Sequence, residues 1–369
     1  IPETWFQLVN LKTIDLGNNF LTGTVSKSFA LLNKLEFLFI NQNYLHGTIP
    51  PELGTLALMN QLLLEHNALT GTVPTSFSSF SQLTTIGLNL NKLTGTLDGV
   101  FNASTQFQLS AIKVSDNRLT GSLPSEIFQL PRLVAFVAAT NCFTGNLPTT
   151  LCHQPSLLST LILDGMGTAK ACRHLFFPGL SSSYAMIGNN DQTLPSCLFS
   201  LARLETLHLA GNSFTGTLPV VASVPPLLLD LALSHNKLQG TIPDQMQRKR
   251  WVRLDLSFNR LSGTLHSDFR QGETSSTETD TGNAEIAANV GDTRSNSTLS
   301  DVLGTSLSLQ NNRLSGRIPQ AIQPLVNVSI LGSNLFSCNL DNSDLPAQDG
   351  DADKYSCGSN TFDAPYYTW

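Results

Sequence analysis

A unit that returns every 23–26 residues is the feature that most constrains this chain. One copy, starting at Gln42, reads "QNYLHGTIPPEL", and the same order of Asn, apolar residue, Gly and apolar-Pro step occurs before and after it. A fixed period of this length predicts stacked coils, each contacting only its neighbours. The asparagine recurs at Asn19, Asn43, Asn67, Asn91, Asn117, Asn141, Asn189, Asn212, Asn236, Asn259 and Asn312. Met166 takes one further slot and Ser333 or Asn334 the last, so we expect about thirteen units.

Each position of the unit has a physical task. Leu38 and Ile40 are two residues apart, as inward residues of a short strand are. Asn43 comes where the chain leaves that strand, and its amide can bond backbone groups of the turn and of a neighbouring coil. Gly47 provides a conformation that disfavours a Cβ. The fourth position after the apolar-Pro step is apolar in all ten units in which we aligned it, which predicts a continuous core.

The unit LxxLxxLxLxxNxLxGxIPxxL resembles the plant-type leucine-rich repeat, and the resemblance covers nearly the whole chain. This subfamily occurs in receptor ectodomains, receptor-like proteins, polygalacturonase-inhibiting proteins and protist surface proteins. The resemblance implies an α/β solenoid, a right-handed superhelix with a parallel β-sheet on its concave face. It also implies binding rather than catalysis.

Departures from the repeat suggest the domain organisation. We expect a solenoid over residues 1–337, with irregular coils at 164–197 and a Ser/Thr-rich insert at about 266–302. The insert has too few apolar residues to hold a compact shape alone, so it is either a solvated loop or an island that helps to bind a ligand. Residues 338–369 are expected to form a C-terminal cap and tail.

Composition narrows the functional classes. Charged residues make up 13% of the chain, the formal net charge is −6 and no basic run occurs, so nucleic acid is not an expected partner. No apolar stretch is long enough to cross a bilayer. The chain starts inside a repeat, and we interpret it as a mature or truncated fragment whose contact with a membrane, if any, is made by a segment outside it.

The even number of six cysteines, without a CxxC pair, favours disulfides and a secretory route to the extracellular space or cell surface. Disulfide-bonded Cα atoms lie within about 7 Å, so partners must share a coil or lie on adjacent coils. Pairing Cys197 with Cys142 or Cys152 would span two coils, which is too far. We therefore expect the pairs Cys142–Cys152, Cys172–Cys197 and Cys338–Cys357.

Three N-x-S/T sequons predict N-glycosylation at Asn102, Asn296 and Asn327. Asn102 and Asn296 are better candidates than Asn327, which lies near a predicted strand.

No catalytic motif is present, and the sequence predicts neither an enzyme, a cofactor nor a metal site. The repeat register places His66, His208 and His235 on strands that face the concave side. Apolar residues also occur there where solvent-facing polar ones are expected, next to polar groups that suit a protein contact. The predicted partner-binding residues are Phe37, Phe39, Gln42, Leu63, Glu65 and His66. Alternatively, these side chains pack against each other or lie under a glycan or a missing N-terminal cap.

Three functions remain open. The first is an extracellular or cell-surface module that recognises a protein, peptide or glycan through its concave or lateral face. The second is a structural component that assembles with other subunits of an extracellular coat or appendage. The third is a secreted inhibitor of an extracellular hydrolase.

Overall fold

The computed structural model describes residues 2–152, 157–166, 172, 192–221, 223–270, 305–339 and 341–357. The chain divides into two compact units. The first comprises Ile1–Gly216, Pro225–Leu228 and Ala232–Lys237, and the second comprises Thr217–Val224, Leu229–Leu231 and Leu238–Trp369. The expected boundary at residue 337 stays a prediction.

In the first unit, short inner strands form a parallel sheet in chain order. They are Thr13–Asp15, Phe37–Phe39, Gln61–Leu63, Thr85–Gly87, Ala111–Lys113, Ala135–Val137, Thr160–Ile162 and Thr206–His208. The central residues of neighbouring strands pair directly, for example Leu38 with Leu62 and Ile86 with Ile112. Each of these four side chains is fully buried, so the predicted apolar column is confirmed.

Outer strands and 3-10 turns complete the coils of the first unit. The outer strands are Thr22–Thr24, Tyr44–Thr48, Ala68–Thr70, Thr94–Gly95, Arg118–Gly121 and Cys142–Phe143. The 3-10 turns are Glu3–Gln7, Lys27–Leu31, Pro51–Thr55, Thr75–Ser79, Ser125–Gln129, Thr149–Cys152 and Ser196–Ser200. Several turns begin directly after a proline that has an extended backbone conformation.

The second unit repeats this plan. Its inner strands are Arg253–Asp255, Ser306–Ser308 and Asn327–Ser329. A further inner strand, Asp230–Ala232, has residues in both units. Its outer strands are Gln239–Gly240, Arg260–Thr264, Arg313–Arg317 and Leu335–Ser337. The helical turns are Asp244–Arg248, Gln320–Ile322 and Ala352–Lys354. The predicted fold class, a leucine-rich-repeat solenoid with a parallel sheet, is confirmed.

The recurring asparagine joins each coil to the one before it. Asn43 donates from Nδ2 to the carbonyl of Leu16, one coil earlier, at 2.9 Å, and its Oδ1 accepts the N–H of Leu21 at 2.9 Å. Asn67, Asn91, Asn117 and Asn141 make the same pair of bonds. In the last slot it is Asn334, not Ser333, that accepts a backbone N–H in this way. Backbone groups that the short strands leave unpaired are thereby satisfied.

The glycine of the unit is needed for two reasons. Gly47 has φ +78°, a left-handed conformation that side chains disfavour. A Cβ added there would lie 3.0 Å from Cγ2 of Thr24 in the preceding coil. At Gly95 the corresponding distance to Thr72 is only 2.7 Å. The glycine therefore lets a threonine methyl pack closely against the next coil.

The expected pairing of the first four cysteines is wrong. The structure joins Cys142 to Cys172 and Cys152 to Cys197, so the pairs Cys142–Cys152 and Cys172–Cys197 do not form. The reason is that Thr160–Ile162 pairs directly with Thr206–His208, so residues 164–197 add no strand between them.

The hydrogen bonds of the recurring asparagine agree with this strand pairing. Asn212 donates to the carbonyl of Leu163 at 2.8 Å and accepts the N–H of Met166, so it bonds directly to the coil of Thr160–Ile162. Asn189 lies outside the described residues. Cys152 and Cys197 thus lie on adjacent coils, with Cα atoms 5.6 Å apart. Twelve inner strands are described rather than the expected thirteen or so. Most of residues 164–197 lie outside the described residues, as do residues 271–304, which include most of the insert.

Residues after the last repeat cover its end. Cys338 is joined to Cys357. The buried carboxylate of Asp349 accepts the N–H groups of Ile330 and Leu331, and the hydroxyl of Tyr355 donates to the carbonyl of Asn334 at 3.0 Å. These contacts satisfy backbone groups for which no following coil is available.

Candidate functional site

Four neighbouring inner strands of the first unit position the predicted binding residues. Strand pairing places Phe39, Leu63, Gly87 and Lys113 in one row across the sheet. Since side chains alternate along a strand, this row and the residues two positions before and after it face away from the buried core. The sequence prediction that Phe37, Phe39, Leu63 and Glu65 share one face follows directly from this alternation.

Phe37, Phe39 and Leu63 form an apolar patch on that face. The rings of Phe37 and Phe39 lie edge to face with centroids 6.1 Å apart, and Leu63 is the direct strand neighbour of Phe39. All three side chains are half-buried. They do pack against each other, as the alternative interpretation held, but they still present apolar surface to solvent.

Gln42 and His66 lie at the edge of this patch rather than on the strands. Both are exposed and adopt left-handed backbone conformations, with φ 53° and 57°, in the turn after each strand. His235 occupies the same kind of turn, with φ 54°, whereas His208 is a strand residue. The expectation that His66 and His235 project from strands is therefore wrong, because the position before the asparagine has already turned away.

Glu65 has the most unusual environment among the predicted residues. Its side chain lies across Gly87, where an added Cβ would be 2.5 Å from Oε2 and 3.1 Å from Cδ2 of Leu63. Oε2 is buried and has no hydrogen-bond partner. Burial raises the pKa of the Glu65 carboxyl, against smaller opposing effects of its own backbone N–H and of Lys113. The sequence indicated Glu65 but gave no sign of its contact with Gly87.

A shallow groove of about 620 Å³ lies away from this face, on the outer side of the first coils. Residues of the outer strands and following turns line it, among them Thr24, Thr48, Lys27 and Glu52. Its walls are mostly polar and carry both signs of charge, so it lacks the apolar anchors that dominate most protein contacts. The apolar patch with Glu65 is the better candidate.

The remaining site predictions are only partly within the described residues. Asn102 is exposed, and its side-chain oxygen accepts the N–H of Ser104 at 2.9 Å. Asn327 is also exposed and starts a strand, while Asn296 lies outside the described residues. Within the described ranges, no group of three or more His, Cys, Asp or Glu side chains could hold a metal ion. The helices of the same ranges are all too short or too polar to cross a membrane.

Comparison with known proteins identifies the repeat. Two family models described as leucine-rich repeat match residues 1–45 and residues 203–222, 250–271 and 305–325. Receptor-like protein 35 of Arabidopsis thaliana is 28% identical over 162 residues, which are 44% of this chain and 15% of that protein. Receptor-like protein 39 of the same plant is 33% identical over 102 residues, which are 27% of this chain and 12% of that protein. The chain thus matches a small part of these relatives.

Solved structures share the fold. The plant peptide hormone receptor RGFR1, in complex with RGF2, has a TM-score of 0.65 and 23% identity, with 91% of this chain and 50% of that chain covered. PEPR1 with AtPEP1 has a TM-score of 0.63 and 20% identity, over 91% of this chain and 44% of that chain. All six cysteines form disulfides, which persist in oxidising compartments outside the cytosol. The chain therefore contains leucine-rich repeats similar to those of plant receptor-like proteins, and its disulfides fit an extracellular or cell-surface location.

Proposed function

We propose that this protein is a binding module that recognises an extended peptide or protein segment on the solvent face of its inner strands. The observation that carries the proposal is the apolar patch of Phe37, Phe39 and Leu63, beside the incompletely satisfied carboxylate of Glu65. Aromatic anchors next to polar groups are the usual centre of a protein interface.

The chemistry of the face favours binding over catalysis. The predicted set contains no serine or cysteine that could act as a nucleophile beside His66. We favour a peptide over a glycan as the partner class. The apolar side chains of a peptide match the apolar patch, and its exposed backbone matches the polar groups beside the patch. The solved neighbours named with peptide hormones are consistent with this class, although their identity to this chain is low.

The proposal is tested by selecting binders from a displayed random-peptide library on the purified protein. Peptides that bind through the patch should lose at least about thirtyfold in affinity on Phe39→Ser, equivalent to roughly 2 kcal/mol for an interface anchor. Phe20→Ser is the matched control, since Phe20 is 84% exposed but lies outside the inner strands. Equal losses in both variants, or binders indifferent to Phe39, would overturn the proposal.

A further inference from the structure

We propose that Glu65 anchors a cationic side chain, arginine or lysine, of the peptide bound by the apolar patch. The inference rests on the proposed function and specifies the partner as a basic peptide. It is carried by three features of this chain: an interrupted hydrogen-bond pattern, a buried carboxylate oxygen without a partner, and a glycine that makes room for it.

The hydrogen-bond pattern distinguishes Glu65 from three of its counterparts in later coils of the first unit. Two positions after three later inner strands of the first unit, a side-chain oxygen accepts the N–H of the corresponding residue in the next coil. Asn89 accepts from Ser115 at 2.9 Å, and Ser115 accepts from Ala139 at 3.0 Å. Asp164 accepts from Ala210 in the same way. Glu65 occupies this position, but its Oε2 makes no hydrogen bond to the next coil. Gln310, at the same position in the second unit, also has an unpartnered side-chain oxygen, but only Glu65 carries a charge.

The unpartnered Oε2 of Glu65 carries a free-energy cost because of its surroundings. A buried carboxylate oxygen without a donor loses its interactions with water and gains none from the protein. Lys113 is exposed, and no ion pair joins it to Glu65 within the described part of the chain. Natural interiors seldom tolerate such groups unless they serve a function. When the side chain turns Oε2 toward solvent, a ligand that brings a charged N–H donor would satisfy the carboxylate with the strongest class of hydrogen bond.

Gly87 gives the site its shape. This glycine is buried, and the Glu65 carboxylate occupies the space that a side chain would fill. Leu63, 3.1 Å from the same point, forms an apolar wall that continues into Phe39. Arginine and lysine have an apolar stem and a charged tip, and they pack the stem along apolar surface while the tip reaches a polar group. The wall and the carboxylate match these two parts of one side chain.

The test uses two small probes that differ in charge but hardly in shape, N-acetyl-arginine amide and N-acetyl-citrulline amide. Binding is followed by the NMR shift of the Gly87 backbone amide. The arginine probe should shift it saturably, with an affinity about tenfold or more above that of the citrulline probe. Glu65→Gln should abolish the difference. Glu52→Gln is the matched control, because Glu52 is an exposed glutamate on an outer turn, and it should leave the difference intact.

Equal affinities for the two probes, a charge preference that survives in Glu65→Gln, or an unresponsive Gly87 amide would each overturn the inference. These failures are separable from failure of the proposed function. If library-selected peptides depend on Phe39 while the arginine probe shows no preference, only the role of Glu65 is wrong. If the probe binds as expected while selected peptides ignore Phe39, the cation site stands and the peptide-binding face is wrong.

Discussion

Replacing Asn117 by alanine tests how the coils are joined. Asn117 is 3% exposed, and its side chain makes four hydrogen bonds. Oδ1 accepts the N–H of Leu93 at 3.0 Å, and Nδ2 donates to the carbonyls of Leu88, Val114 and Ser115 at 2.9–3.1 Å. Alanine removes all four bonds at once, because its methyl group can neither donate nor accept a hydrogen bond.

The magnitude follows from what each partner keeps. The carbonyls of Leu88 and Val114 still accept from Asn91 and Asn141, and that of Ser115 still accepts from the backbone of Leu90. Only the N–H of Leu93 loses its acceptor. A buried unsatisfied donor costs about 1–3 kcal/mol, and the weakened carbonyl bonds add a further amount of about 1–2 kcal/mol. We therefore expect Asn117→Ala to lower the free energy of unfolding by about 2–5 kcal/mol.

Asn19 is the matched control within the chain. It occupies the same position in the first described coil, but it is exposed and its amide bonds only the carbonyls of Leu16 and Gly17 in its own turn. Asn19→Ala should cost about 1 kcal/mol. Urea unfolding of both variants, followed by circular dichroism, measures the difference. Equal destabilisation would refute the idea that bonds between coils, rather than within a turn, are what the asparagine contributes.

Three further outcomes are expected. Because burial raises the pKa of Glu65 above its ordinary value of 4.5, ionisation favours the unfolded chain, so Glu65→Gln should stabilise the protein at neutral pH. This gain, read from urea unfolding at several pH values, should vanish below about pH 4.5 and be largest above the raised pKa. Gly95→Ala should be more destabilising than Gly23→Ala by about 1 kcal/mol in thermal unfolding: both have positive φ, but only the Cβ at Gly95 meets a threonine methyl. Non-reducing peptide mapping by mass spectrometry should find Cys152 linked to Cys197, and any other partner for Cys152 would contradict the coil order.

The fold was predictable because the repeat encodes it many times over. Leu38 and Leu62 occupy equivalent places in successive units, and equivalence in a stack means contact. The disulfides were not predictable in the same way. The segment around Cys172 keeps the spacing of a repeat, but spacing does not reveal whether a segment adds a strand to the sheet or leaves it. Only the direct pairing of Thr160–Ile162 with Thr206–His208 decides this.

The candidate site was also predictable only in part from the sequence. Alternation along a strand was sufficient to place Phe37, Phe39 and Leu63 on one face. It failed for His66, because the chain turns one residue before the asparagine. The contact of Glu65 with Gly87 depends on the side-chain conformation of a residue in a neighbouring coil, which a linear pattern does not specify.

Hydrogen–deuterium exchange of the protein with a library-selected peptide tests the central claim most directly. We expect the peptide to slow amide exchange in the inner strands Phe37–Phe39, Gln61–Leu63 and Thr85–Gly87 and in the turns that follow them. The outer strands Thr22–Thr24 and Tyr44–Thr48 should exchange at the same rate with and without peptide. Slowed exchange confined to the outer strands would contradict the account, because it would place binding on the opposite side of the same coils.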